Sequence, residues 1–440
     1  MKRAFIIFIL LFYVTTSTFA QSKEQILIIP ANPKAGFQWD YAIYLPRNMD
    51  VSKKLPILFI MNNTGSTELS IEETEQKTLE NLRYQDSAIA DELGVPLVMP
   101  MVQRLPKFYT HDLSRAVFVS QNEKFKHLDE QILHMLQDAR KQLKKYKIRT
   151  QKKFLVAGFS AAGVFAWRWT MLHPEYVLAT VTGGALYHML PMEEWDGEKL
   201  IYPVGVGDLE EHTGKKFNKK AWLHIPIFST NGELDDNDTF VYNECFNEEE
   251  ERPILEKVLP GKDIFERRAQ SIKLLNEMAP NVQTHLYPFL THEPVTQDSV
   301  AFLKLHRNGG PLKSFTPTDT GAVDKVSVQK IIWGNDDSLA SRERKLLGPN
   351  YLLLEAKSNH PSRYYGPYEI NILQNGKKLF SKKSNGSISD DSHILLLYYM
   401  TEEDMTQLRG CGKKQKFTIS AKYPQYLDIS QKLTFTVSTK

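Results

Sequence analysis

Residues 154–163 read Phe-Leu-Val-Ala-Gly-Phe-Ser-Ala-Ala-Gly, and this stretch decides the fold. It begins as an apolar run of strand length, and a helical pattern follows Ser160 as far as Pro174. Between the two, the serine has Gly158 two positions before it and Ala162 two positions after it. A serine on so tight a turn needs very small neighbours, because the backbone segments on either side of it come into contact. The stretch therefore predicts a nucleophile elbow with Ser160 as the candidate nucleophile.

A serine hydroxyl of ordinary acidity needs a histidine base, and that base needs an acid to orient it. Residues 225–230 form an apolar run that leads into an acidic loop, in which Asp235 stands three residues after Gly232. We expect Asp235 to be the orienting acid. Asp236 and Asp238 are alternatives, since a small shift in the loop would exchange them.

The candidate base is His292, in the loop that follows the apolar run of residues 284–289. This position places His292 at the sheet edge where Ser160 is expected. His285 is the nearest alternative, but it lies within the run and is more simply explained by packing or exposure to solvent. The histidines lack zinc-binding spacing, and Phe240 stands where an EF-hand calcium loop needs glycine. The sequence therefore predicts no metal and no cofactor.

Ester or amide cleavage through a serine also needs backbone amides that face the developing negative charge. The residue after the nucleophile, Ala161, supplies the first amide. The second is expected after the third predicted strand, residues 55–61, where either Asn63 or Thr64 is positioned to donate it.

Short apolar runs alternate with longer amphipathic stretches from residue 25 to residue 306. The runs lie at residues 25–29, 41–45, 55–61, 96–101, 154–159, 178–182, 225–230 and 284–289. Residues 127–146 carry apolar side chains at three- and four-residue spacing, which is typical of a helix with one face against a sheet. This alternation predicts an α/β fold with a mostly parallel sheet covered by helices on both faces.

A turn-rich segment at residues 308–321 separates this region from a second one. Beyond it, strand-like runs recur without long helical patterns, and Asn375-Gly376 is a strong hairpin signal. We therefore expect an α/β domain over residues 21–307, a linker over residues 308–321 and a smaller β-sandwich-like domain over residues 322–440.

The N-terminus has the pattern of a secretory signal peptide, residues 1–20. Lys2 and Arg3 precede an apolar run of 11 residues, which is shorter than the roughly 20 needed to span a bilayer. Small residues precede a cleavage site after Ala20. We therefore expect an exported chain, periplasmic or extracellular, without a membrane span.

Charge and cysteine content exclude several classes of protein. The mature chain would carry 53 basic and 52 acidic residues, and no single segment is basic enough to predict nucleic-acid binding. The lysines near residues 141–147 are interpreted as the solvated end of a helix. Cys245 and Cys411 are the only cysteines, which excludes a disulfide-rich scaffold. In an oxidising compartment they would either pair or stay as separate thiols.

The order serine, aspartate, histidine after such an elbow resembles the α/β-hydrolase superfamily over residues 25–306. Residues 109–115, 158–172, 202–214 and 232–238 resemble a bacterial group similar to polyhydroxybutyrate depolymerases and to feruloyl or acetyl xylan esterases. The resemblance implies ester cleavage. The chain departs from the common pattern at Asn62-Asn63, where the superfamily often has His-Gly.

The sequence thus predicts an exported serine carboxylester hydrolase that acts on a small-molecule or polysaccharide-linked ester. A serine peptidase of the same fold is one alternative, and an inert protein that binds a glycan or a partner is another. Residues 185–222 are rich in aromatic side chains, and they would either cap the pocket or pack into the core.

Overall fold

The structure is a computed structural model, and its description covers sixteen parts of the chain. These are residues 25–63, 69–104, 113–185, 189–233, 235–237, 246–287, 290, 292–318, 326–333, 351–357, 369–383, 386–389, 394–410, 415–421, 427–428 and 434–437. The predicted signal peptide, Thr64, Asp238, Cys245 and Cys411 lie outside the described residues.

An eight-stranded sheet forms the centre of the first region. Its part of the chain contains β1 (Gln25–Ile29), β2 (Tyr41–Leu45), β3 (Leu58–Ile60), β4 (Leu97–Pro100), β5 (Phe154–Phe159), β6 (Val177–Gly183), β7 (Glu194–Trp195), β8 (Glu198–Lys199), β9 (Ile227–Gly232) and β10 (Val282–Tyr287). The sheet order is β1-β2-β4-β3-β5-β6-β9-β10, and β7 and β8 form a separate hairpin. In this sheet order, each strand from β4 to β10 is parallel to its neighbours within that part of the sheet, whereas β2 is antiparallel to both β1 and β4. This arrangement confirms the predicted fold class.

Ten helices accompany these strands in the described residues. They are α1 (Ile71–Asn81), α2 (Ser87–Leu93), α3 (Ala116–Val119), α4 (Leu128–Lys145), α5 (Ala161–Leu172), α6 (Leu209–Thr213), α7 (Lys219–Trp222), α8 (Glu251–Val258), α9 (Ile264–Met278) and α10 (Thr296–His306). A capping box between Ser70 and Glu73 begins α1, and the side chain of Asp263 caps α9. Among the described residues, none of the helices combines the length and apolar composition that crossing a membrane requires.

Two hydrophobic cores lie on opposite faces of the sheet. Successive residues of a strand point to opposite faces, so Phe59 joins one core while Leu58 and Ile60 join the other. The buried faces of α4 and α5 belong to the first core, and those of α2 and α10 belong to the second. Because helices cover both faces, the central strands β3, β4 and β5 are apolar on both faces rather than alternating.

The aromatic segment that the sequence left open between a cap and core packing is described over residues 189–222. Tyr202 and Trp222 are both fully buried in the first core. The buried carboxylate of Asp208 accepts a hydrogen bond from the Tyr202 amide at 2.6 Å and pairs with Arg115 at 3.0 Å. These contacts support the packing interpretation of this segment.

The segment interpreted as a linker has a specific structure in its first part. Residues 311–318, which we call the strap, lie against the second core. The Phe315 ring packs at 5.2 Å from Phe228 and at 5.6 Å from Phe302. At its end, the Thr318 hydroxyl donates a hydrogen bond of 2.6 Å to Asp298. The strap therefore packs as part of the α/β unit.

The C-terminal region contains two further sheets. Its strands are β11 (Val326–Trp333), β12 (Tyr351–Lys357), β13 (Glu369–Gln374), β14 (Lys377–Lys383), β15 (Gly386–Ser389), β16 (Ile394–Tyr399), β17 (Gln415–Ala421), β18 (Leu427–Asp428) and β19 (Thr434–Val437). The sheet orders are β15-β16-β12-β11-β18 and β14-β13-β17-β19. The hairpin at Asn375-Gly376 is confirmed, with both residues at positive φ. Three elements of this region were not predicted: the helix α11 (Glu402–Gly410) and the short strands β15 and β18.

Candidate active site

The backbone of Ser160 is strained in the way an elbow requires. Its φ is 59° and its ψ is −129°, which is a rare conformation for a residue with a side chain. A Cβ atom on Gly158 would lie 2.1 Å from the carbonyl oxygen of Ala162, closer than any two such atoms approach. Glycine at this position is therefore a steric requirement of the turn, as the sequence pattern indicated.

The elbow is also fixed to the neighbouring strand β6. The Ser160 amide donates a hydrogen bond of 2.8 Å to the carbonyl of Gly183. A Cβ atom on Gly163 would lie 2.5 Å from that same carbonyl, so α5 can begin this close to β6 only without a side chain there. The candidate nucleophile thus lies at a tightly packed junction of strand and helix.

The structure brings the three sequence-predicted residues together in one hydrogen-bonded chain. His292 Nε2 lies 2.8 Å from Ser160 Oγ, and His292 Nδ1 lies 2.9 Å from Asp235 Oδ2. A carboxylate can only accept, so Nδ1 carries a proton and donates it to Asp235. Nε2 is then free to accept the hydrogen bond that the Ser160 hydroxyl donates. This is the geometry that proton transfer from serine to histidine requires.

Asp235 is completely buried and held from several sides. Its Oδ1 accepts a hydrogen bond of 3.1 Å from the backbone amide of Asn237. The buried guanidinium of Arg268 donates to three carbonyls of the same loop: those of Gly232 at 3.0 Å, Asp235 at 3.1 Å and Glu233 at 2.8 Å. Arg268 on α9 therefore braces the loop that presents the carboxylate.

His292 is partly accessible, with 29% of its side chain exposed. The ring of Phe159 lies 4.8 Å from the imidazole and limits its rotation. Gly184, at a φ of 62°, lies close to both rings, since an added Cβ would lie 2.8 Å from the Phe159 ring and 3.0 Å from His292 Cε1. The Asn237 side-chain nitrogen also lies 3.2 Å from His292 Nε2.

Two residues of the proposed oxyanion site are described. Ala161 is buried as the first residue of α5, where its amide lies at the positive end of the helix dipole. The Asn63 side chain donates a hydrogen bond of 3.2 Å to the backbone carbonyl of Phe159. The backbone carbonyl of Asn63 accepts a hydrogen bond of 2.9 Å from the Asn81 side chain. Asn63 is therefore fixed beside the elbow. Thr64, the alternative, lies outside the described residues.

The Asn62-Asn63 departure from the common His-Gly pattern has a structural role. The Asn62 side chain is buried and bonds both the amide and the carbonyl of Val102, at 3.2 and 3.0 Å. These bonds tie the end of β3 to the chain after β4, next to the loop where the second amide is expected.

The rival site residues are placed differently. His285 lies within β10, with its ring 4.5 Å from that of Tyr287. Asp236 is exposed, in contrast to the fully buried Asp235. Asp238 lies outside the described residues.

A cavity of about 390 Å³ lies beside the elbow, between β3, β5 and the start of α10. Asn63, Phe159 and Asp86 are among its lining residues. Burial raises the pKa of Asp86 to about 7. Burial likewise raises the pKa of Glu293, the neighbour of His292, to about 7. Both carboxyl groups therefore change charge near neutral pH.

Sequence reasoning missed Arg268, Asn237 and Asn81. The first lies in an amphipathic helix, where a buried cation cannot be distinguished from a solvated one by periodicity. The other two lie in polar stretches that offered many equivalent candidates.

No protein-family model and no curated protein matches the chain. Among solved structures, it is similar to a poly(3-hydroxybutyrate) depolymerase from Bordetella parapertussis, at 12% identity and a TM-score of 0.41, over 64% of this chain and 87% of that one. Similarity to poly(aspartic acid) hydrolase-1 from Sphingomonas sp. KT-1 is at 15% identity and a TM-score of 0.41, over 65% and 97% of the two chains. Similarity to a ferulic acid esterase from Anaeromyces mucronatus is at 11% identity and a TM-score of 0.37, over 67% of this chain and 93% of that one. The chain itself has two features that define a fold, the strand order of its sheet and the strained elbow between β5 and α5. By both features, the chain has the α/β-hydrolase fold.

Proposed function

We propose that this protein is an exported serine hydrolase that cleaves carboxylic esters through an acyl-enzyme on Ser160. The observation that carries the proposal is the continuous hydrogen-bonded chain from Ser160 Oγ through His292 to the buried Asp235. Its elements come from three loops at one edge of the sheet, as a catalytic triad requires.

In the first half-reaction, Ser160 Oγ attacks the ester carbonyl carbon while its proton passes to His292 Nε2. The imidazolium that forms is stabilised by Asp235. The negative charge on the carbonyl oxygen is met by the amide of Ala161 and by the amide of Asn63 or Thr64. The bond to the alcohol then breaks, and His292 returns the proton to the departing oxygen.

In the second half-reaction, water attacks the acyl group on Ser160. His292 takes a proton from this water and delivers it to Ser160 Oγ as the tetrahedral intermediate collapses to the free acid, which restores both the serine hydroxyl and the neutral imidazole. All proton transfers are internal to the enzyme, the substrate and water, so the reaction needs no cofactor.

Two assays test the proposal on the mature protein. A fluorophosphonate probe should label the wild-type chain and fail to label Ser160→Ala, which keeps its fold by thermal unfolding. A folded wild-type chain that resists labelling would favour the inert binding protein. Nitrophenyl esters should be cleaved much faster than peptide nitroanilides, whereas the reverse preference would identify a peptidase.

Export is part of the proposal, and it rests on the pattern of residues 1–20. N-terminal sequencing of protein recovered outside the cytoplasm should begin at Gln21. A cytoplasmic product that still begins at Met1 would contradict it.

A further inference from the structure

A basic groove lies at the opposite edge of the sheet from the proposed active site. It has a volume of about 760 Å³ and is lined by the end of α4 and by the loop between α4 and β5. Phe154 at the start of β5 forms part of its buried floor, and Ser160 follows the other end of the same strand. At about 3.3 Å per residue, the groove and the serine are roughly 20 Å apart.

Among the described residues that line this groove, seven are cations and one, Glu175, is a carboxylate. Five of the cations are exposed lysines: Lys141, Lys144, Lys147, Lys152 and Lys153. The groove thus carries a net charge of +6, in a chain whose total is only +3. The remainder of the chain is therefore acidic overall, and basic character is concentrated at one place.

These lysines are not neutralised within the described part of the chain, where none of them forms an ion pair with a carboxylate. Lysines elsewhere commonly do: Lys77 pairs with Glu80, Lys126 with Glu123 and Lys304 with Glu92. Like charges so close to one another repel, so the cluster is unfavourable until an anion occupies it.

The helix dipole explains only part of the cluster. Cations are favoured at the C-terminal turn of α4, which accounts for Lys144 and for Lys145 beside it. It does not account for Lys152 and Lys153, which come from the loop that follows and line the same groove. The C-terminal end of α4 and the loop that directly follows it thus supply one cationic surface.

The free cations and the apolar surface beside them suit an acidic polysaccharide. Lysine attracts carboxylate and phosphate alike as a mobile point charge, whereas arginine would hold either group through two hydrogen bonds. Both arginines of the groove already make contacts within the chain, Arg140 with the Thr150 hydroxyl and Arg149 with the carbonyl of Ser52. The half-buried Tyr176 and the buried Ile148 add apolar surface on which a sugar ring can pack.

We propose that this groove binds an acidic polysaccharide, through repeated uronate carboxylates on its lysines, and so holds the protein on a polymer while the opposite edge of the sheet stays free. The inference stands apart from the proposed hydrolase activity, since it uses none of the same residues. A tethered enzyme gains effective concentration toward anything attached to that polymer.

The test compares the dissociation constants for polygalacturonate of the wild-type protein and two triple variants with equal charge changes. Lys141→Gln, Lys144→Gln and Lys152→Gln together should weaken binding at least about tenfold at low salt, because each removes an attractive charge from the groove. Lys77→Gln, Lys126→Gln and Lys304→Gln together should change it by less than about twofold, because these lysines lie elsewhere on the chain. Wild-type binding should also weaken steeply as salt rises.

An equal loss of polygalacturonate affinity in both triple variants would overturn the proposal. Binding to neutral dextran as tight as to polygalacturonate, or tighter binding to single-stranded DNA, would overturn it as well. Undetectable binding of polygalacturonate by the wild-type protein at low salt would also overturn it. Thermal unfolding checks that the variants are folded. Should the helix substitutions unfold the protein, Lys152→Gln with Lys153→Gln tests the same groove from outside α4.

Discussion

Replacing Asp235 with asparagine tests the triad most sharply, because the surroundings of this side chain fix how the amide must sit. Oδ1 of Asp235 accepts a hydrogen bond of 3.1 Å from the amide of Asn237. In the variant, the amide oxygen has to keep this position, since an NH₂ group there would face another donor. The NH₂ group is then directed at His292 Nδ1, which lies 2.9 Å from the second carboxylate oxygen in the wild type.

Two donors would meet at that contact, so the imidazole proton moves from Nδ1 to Nε2. Nε2–H then faces Ser160 Oγ and cannot accept its proton. We expect kcat/KM for p-nitrophenyl acetate to fall by about 10⁴-fold, equivalent to about 5.5 kcal/mol of transition-state stabilisation. The fold should persist, because asparagine has the size and shape of aspartate.

Asp236→Asn is the matched control, since it makes the same chemical change at the next, exposed residue. Its kcat/KM should stay within about threefold of wild type, as is usual for a substitution away from the reacting groups. Asp235→Asn with more than a tenth of wild-type activity, or an equal loss in both variants, would refute the assignment of the acid.

Three other changes test the fold around the site. Gly158→Ala should abolish folding or activity, because the added Cβ would lie 2.1 Å from the Ala162 carbonyl oxygen. Ala162→Gly, the control, should keep both. Equal behaviour of the two variants in expression and unfolding assays would contradict the steric argument. The raised pKa of Asp86, about 7, makes the folded protein lose stability as pH rises from about 4 to 7, because only the unfolded chain ionises there. Asp86→Asn should therefore raise the free energy of unfolding by up to about 4 kcal/mol at pH 8 and hardly at all at pH 4. A gain that is independent of pH would argue against this cause. A chain that ends at residue 310 should unfold several degrees below one that ends at residue 320, because only the longer chain keeps the strap and its contacts. Equal unfolding temperatures would show that the strap adds no stability.

Much of the α/β fold could be predicted because its signals are local. The strand runs into Ser160 and out into a helix, and a steric rule about neighbouring residues selects Gly158 at the turn. The periodicity of α4 likewise predicted its bounds to within a residue at each end. The C-terminal region was harder, since α11 is short and weakly amphipathic and β15 and β18 are very short strands.

The candidate triad could be named from the sequence because parallel strands bring their carboxyl ends to one edge. Sequence alone left three aspartates open on a single loop. Burial distinguishes two of them, since Asp235 is fully enclosed and within hydrogen-bond distance of His292, whereas Asp236 is exposed. The catalytic role of each remains a prediction for the variants above.

The sequence by itself determined the features that depend on near neighbours: the fold class, the elbow and the order of candidate site residues. Tertiary structure decided the features that depend on residues far apart in the chain. Arg268 braces the Asp235 loop from a helix more than thirty residues away, and the strap packs on a core formed by earlier strands. The lysines interpreted from the sequence as a solvated helix end line a groove that Glu175 and Tyr176, which follow α5, also line. Local sterics can be inferred from adjacent residues, but the meeting of distant charges and rings depends on the path of the folded chain.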